Sequence, residues 1–109
     1  MTQPAQQVAI VLTTFGVGQA LTVGRVLVEE RLAACVNVLP AMTSIYRWEG
    51  EVRQDSETVL ILKTTEDRLD ALTARVRALH SYDLPCVVAL PIRGGNPAFL
   101  DWIAGEVAD

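Results

Sequence analysis

The chain has 109 residues, half of them hydrophobic and a fifth charged, with a net charge of −4 at pH 7 and a pI of about 4.9. That length fits one domain around one core, and the acidic balance, with no run of Lys or Arg, excludes sequence-independent binding to nucleic acid, which needs cations set against phosphates. So much apolar surface on so short a chain points to a subunit of an oligomer rather than a monomer.

Residues 1–7, MTQPAQQ, read as a loose polar tail before a single domain over 8–109. No basic charge precedes the apolar run VAIVL, so the start does not resemble a secretion signal, and no apolar run is long enough to span a membrane. The β-branched stretch Val8–Thr14 predicts a buried strand. After a turn at Phe15-Gly16-Val17-Gly18 the period changes to that of a helix reaching Leu32. Its inward stripe is Val17, Ala20, Leu21, Gly24, Leu27, Val28 and Leu32, with Arg25, Glu29 and Glu30 pointing elsewhere. Gly24 inside that stripe predicts close packing against a sheet.

Ala33–Pro40 opens a second strand, in which Pro40 predicts a bulge or an edge because proline cannot donate to the ladder. The strand resumes through Met42–Trp48, turns at Trp48-Glu49-Gly50-Glu51 and returns as Val52–Thr65. There Thr58, Leu60 and Leu62 share one face, and Val59, Ile61 and Lys63 the other. Thr65 stands where a helix cap belongs. The next helix has Leu69, Leu72, Val76, Leu79 and His80 inward, and ends at Ser81-Tyr82-Asp83 with Pro85 beyond. Cys86–Ile92 is a fourth strand. Asn96 as cap and Pro97 at the first helical position start a last helix lined by Phe99, Trp102, Ile103 and Val107.

The order is that of two right-handed βαβ units joined by a hairpin. This predicts an α+β, ferredoxin-like βαββαβ sandwich with an extra C-terminal helix. An arm of about 14 residues at roughly 3.3 Å each spans about 45 Å, whereas a domain of this size is roughly 34 Å across. The central hairpin therefore overhangs its core. Either it lies against another subunit through Ile45, Tyr46 and Trp48, or it bends at Pro40 onto its own sheet; covering an exposed edge favours the first.

Four segments in order carry a resemblance: EERLAACVNVLPAMTSIYRWEGEV, ETVLILKT, LHSYDLPCVVALPI and FLDWI. Together they resemble the CutA family of divalent-cation-tolerance proteins over roughly residues 8–107. The resemblance implies a compact homotrimer with hairpins crossing subunit boundaries, PII-like architecture, a link to tolerance of copper and other divalent metals, and no agreed enzymatic activity. The family often reads His-Pro-Tyr-Glu-x-Pro-Glu near the last strand. Here the text is His80-Ser81-Tyr82-Asp83-Leu84-Pro85-Cys86, with a thiol in place of the last acid.

Candidate chemistry is sparse. His80 and Cys86 are suitable ligands for copper or zinc, with Cys35 as a further thiol. Equally, His80 lies on an apolar helix stripe and reads as a hydrogen-bonded, part-buried imidazole, and both thiols read as small core hydrophobes. Two cysteines this far apart are reduced thiols of a cytoplasmic protein. Glu30, Trp48, Lys63 and Tyr82 could line a cleft between subunits that holds a metal or a small ligand; ion pairing is the plainer account of the charged ones. Trp102 joins Ile45, Tyr46 and Trp48 as expected trimer interface. One histidine and no Ser/His/Asp or Cys/His constellation argue against an enzyme, no cofactor is required, and Gly94-Gly95 lacks the rest of a phosphate loop. A PII-like trimer presenting a surface to a protein partner is the alternative reading.

Overall fold

The computed structural model describes residues 6–14 and 16–108. It is a mixed α+β fold with a four-stranded antiparallel sheet in the order β2-β3-β1-β4. The elements are β1 (Gln7–Thr14), α1 (Val17–Glu29), β2 (Cys35–Trp48), β3 (Glu51–Thr65), a 3-10 turn (Glu66–Arg68) running into α2 (Leu69–Leu79), β4 (Val87–Pro91) and α3 (Pro97–Val107). Of the expected tail, residues 1–5 lie outside the described residues. Gln6 and Gln7 are tied down: the Gln6 side chain donates to the Ile92 carbonyl at 2.7 Å, and Gln7 pairs with Thr65.

Strand alternation decides the core. Val8, Ile10 and Leu12 of β1 and Leu60 and Leu62 of β3 are buried on one face, under Ala20, Val23 and Leu27 of α1 and Leu72 and Val76 of α2. Gly24 makes the close approach that its place predicts: a Cβ there would lie 3.1 Å from Val36 Cγ1. The inward stripe of α1 differs from the expected one. Val23 is buried, while Val17, Leu21 and Val28 are exposed. The helix also stops at Glu29, three residues early. Leu32 N–H bonds back to the Leu27 carbonyl at 2.9 Å and Arg31 N–H to Val28 at 3.1 Å, with Arg31 left-handed (φ 58°). This is a Schellman end with an arginine where glycine is usual. It turns the chain so that Leu32 is buried although it is no longer helical.

Thr65 sits at the cap position of the next helical segment, but its hydroxyl turns to the Asp67 carboxylate rather than to a backbone N–H. Asn96 does cap α3, accepting from Ala98 N–H at 3.1 Å, with Pro97 at the first position. α3 lies on the sheet face away from α1 and α2. Adjacent strand residues point to opposite faces; Val8 enters the main core, and Gln7 donates to the Leu100 carbonyl at 3.0 Å. There Ile103 and Val107 form a second small core with Ala34, Ile92 and Leu100.

The hairpin is long and straight enough to leave the domain. β1 meets β3 only over Thr58–Thr65, so the seven pairs from Met42↔Glu57 to Trp48↔Glu51 continue as a two-stranded ribbon. The molecule measures 51 × 25 × 22 Å. Both predictions for Pro40 hold: β2 is an edge strand, and Pro40 and Ala41 together oppose Thr58 as a bulge, with Ala41 at φ 63°. The tip is a two-residue turn with Glu49 at φ 51° and Gly50 at φ 79°, the backbone that suits the twist of a hairpin.

Candidate functional site

The polar chemistry of the chain gathers where the ribbon leaves the sheet. Glu57 lies on β3 at that root, on the same face as Val59, Ile61 and Lys63. Beyond it on the same face come Asp55, Arg53 and Glu51, opposite Ser44, Tyr46 and Trp48. Tyr82, in the turn after α2, donates its hydroxyl to Glu57 Oε2 at 3.0 Å. Burial, then the bond and the charge of Glu57, push its phenol up to about 12. Tyr46 makes the same kind of bond to Asp55, and that bond is the main reason its phenol is raised. The two tyrosine–carboxylate pairs are close enough to feel each other's charge.

His80 stands behind Tyr82. It caps α2 in extended conformation, and its ring lies 4.5 Å from the Tyr82 ring, tilted by 55°. Nδ1 is 3.0 Å from Tyr82 N–H, which can only donate, so Nδ1 accepts. The ring proton is therefore on Nε2, which donates to the Thr13 carbonyl at 2.5 Å. Both nitrogens of the chain's one histidine are committed, so the in-plane lone pair of the neutral ring, on Nδ1, is not free for a metal. Cys86 is exposed, but partial cover over its sulfur and then the charge of Glu57 push the thiol up, which disfavours the thiolate a metal requires. Cys35 is half-buried on β2, in register with Lys63. Among the described residues no three His, Cys, Asp or Glu side chains come together. A resident metal does not fit the donor set of a single protomer. Beside the turn lies an open depression of about 540 Å³, lined by Arg77, His80, Ser81, Tyr82, Asp83 and Pro85 with Ala74 and Ala78.

The four residues expected in one cleft are spread out within a protomer. Glu30 is held by Arg75 of α2 in a two-pronged bond (2.9 and 3.0 Å) on the helical side. Lys63 points to the opposite sheet face and donates to Asn37. Its neighbours Leu62 and Thr64 are the ones buried beneath the helices, so within a protomer strand parity puts Lys63 on the sheet face away from Glu30. Lys63 is six residues from Glu57 along β3, roughly 20 Å, and Trp48 at the tip lies a similar distance the other way. Of the expected interface residues, Tyr46 and Trp48 share the Glu57 face and Ile45 the other. Trp102 stacks on Phe99 at 5.4 Å, both partly exposed on α3. Neither Glu57 nor Asp55 stands among the residues expected at the site. The signal for both was the alternation Glu51, Arg53, Asp55, Glu57.

The model of the CutA1 divalent ion tolerance proteins matches residues 8–106. The chain belongs to the CutA1 divalent ion tolerance family. It is 56% identical over 84 residues to the divalent-cation tolerance protein CutA of Thermus thermophilus, covering 77% of this chain and 82% of that one. The solved structure of the Thermus protein has a TM-score of 0.90 at 48% identity, covering 92% and 97% of the two chains. A chloroplastic CutA of Oryza sativa is 54% identical over 83 residues, 76% of this chain and 47% of that longer protein. An Archaeoglobus fulgidus structure described as a periplasmic divalent cation tolerance protein CutA has a TM-score of 0.90 at 36% identity, covering 94% and 99%. The CutA1 family is named for tolerance of divalent ions and is not a known enzyme family. No helix among the described residues is long and apolar enough to cross a membrane, and the Archaeoglobus relative is described as periplasmic.

Proposed function

We propose that the chain acts as a non-enzymatic homotrimer, built on a ferredoxin-like sandwich, linked to tolerance of copper and other divalent metals through clefts between its subunits. The observation that carries this reading is the ribbon, which leaves its own sheet by seven residue pairs and holds Ile45, Val52 and Trp48 in solvent. Leu39, Val88 and Leu90 add exposed apolar surface on and beside the sheet. Such surface on a chain this short calls for cover by further copies. Trp48, Tyr82 and Lys63 are spaced too far apart to meet within one chain, so a cleft containing them needs a neighbour's ribbon. The family's link to metals, set against the poor donor set of one protomer, favours a small ligand or an ion held between subunits. The free thiols Cys35 and Cys86 support a reducing compartment, hence the cytoplasm.

Light scattering tests the assembly: the expected mass is three times 11.9 kDa, and a mass of one protomer overturns it. Trp48→Asp puts a charge into the proposed interface and shifts mass toward the protomer. Copper and zinc titrations of the reduced wild type and of Trp48→Asp then test the cleft. Binding by the trimer that is lost together with assembly supports it, and the absence of binding by the intact trimer overturns a metal as its occupant. One observation favours the PII-like alternative: Val17, Leu21 and Val28 of α1 are exposed on the helical side, away from the sheet face that assembly would cover. Leu21→Asp tests it, with protein capture lost and trimer mass kept.

A further inference from the structure

We propose that His80 is a protonation-controlled latch that holds Tyr82 on Glu57, so that acid releases the root of the ribbon. This goes beyond the reading above and does not depend on trimer assembly. The neutral ring, protonated on Nε2, ties three segments together: the end of β1 through the Thr13 carbonyl, the end of α2 through its own backbone, and the turn before β4 through Tyr82 N–H. A second proton has one place to go, Nδ1. There it faces the Tyr82 N–H across 3.0 Å, donor against donor, in a buried setting where an unmade bond is costly. The Nε2–H bond to Thr13 survives protonation, so the strain falls on Tyr82 alone. The backbone of Tyr82 must move, and its hydroxyl is withdrawn from Glu57.

Other groups around the ring decide only where this happens. Arg77 of α2 and Asp83 of the turn line the same depression, with opposite charges. Ser81 bonds Gln19 of α1 at 3.4 Å, β1 presents the Thr13 carbonyl, and Glu57 of β3 is reached through Tyr82. Burial and the bond to Glu57 push the Tyr82 phenol up to about 12, so Tyr82 keeps its proton throughout the acid range.

The chain has one histidine, which makes the test unambiguous. Long-range ¹H–¹⁵N spectra of the full-length protein should show the Nε2–H tautomer at pH 8. As pH falls, the His80 ring, the Tyr82 amide and the Tyr82 ring signals should shift with one common midpoint, before any unfolding. In His80→Asn the Oδ1 keeps an acceptor near the Nδ1 position but cannot take the proton, and the Tyr82 shifts should be lost. The proposal is overturned by an Nδ1–H tautomer, by a ring that stays neutral until acid unfolding, or by Tyr82 signals that do not follow His80. Should His80→Asn not fold, the wild-type titration decides alone.

Discussion

β3 is one strand with two lives. From Thr58 to Thr65 it is flanked by β1 and β2, covered by helices, and reads TVLILKTT; Leu60 and Leu62 are fully buried. From Glu51 to Ser56 it reads EVRQDS, has β2 as its partner, and every residue is exposed. The backbone hydrogen bonding between β2 and β3 is of the same kind in both halves. The ladder alone therefore does not distinguish core from ribbon; side-chain burial does, and stability should follow burial.

Four substitutions sharpen or break this comparison. Leu62→Ala in the covered half should cost about 2–5 kcal/mol in urea denaturation, because it empties a fully buried site. In the ribbon, Gly50→Val should cost about 1–2 kcal/mol, since a β-branched residue resists the left-handed backbone that the tip needs. Tyr82→Phe, at the junction, removes one hydrogen bond and should cost about 0.5–1.5 kcal/mol. It should also flatten the alkaline limb of stability. The phenol is raised from 10.0 to about 12 in the folded chain, so its contribution is complete below pH 10 and lost as pH rises through about 12. Gln54→Ala in the ribbon should stay within about 0.5 kcal/mol. A Gln54 cost as large as that of Leu62 would mean that the ribbon is packed as tightly as the core.

The same contrast explains what could be read from the sequence. Local chemistry was legible: Pro40 announced its bulge, Glu49-Gly50 its turn, Asn96-Pro97 its helix start, and the alternation over Thr58–Lys63 its two faces. Phase over longer distances was not. α1 carries apolar residues around much of its surface, so the stripe through Val17, Leu21 and Val28 competed with the true one through Val23, and sheet packing at Gly24 chose between them. The family likeness, now matched over residues 8–106, was visible in segment order. The site was the least legible part. Tyr82 meets Glu57 across 25 residues, a contact that no local pattern announces, and the second hydrogen bond of His80 reaches back 67 residues to Thr13.

The bulge has a consequence for how this arm could be re-engineered. Before it, β2 turns odd-numbered side chains toward the face shared with Lys63; after it, even-numbered ones, Tyr46 and Trp48 among them. Deleting Ala41 would restore strict alternation. The pairs from Met42↔Glu57 to Trp48↔Glu51 would keep both register and faces, with Tyr46 and Trp48 still beside Glu57, because the bulge holds one residue of β2 that β3 does not match. What that extra residue sets is the bend at the arm's shoulder, and not the sides its aromatics take.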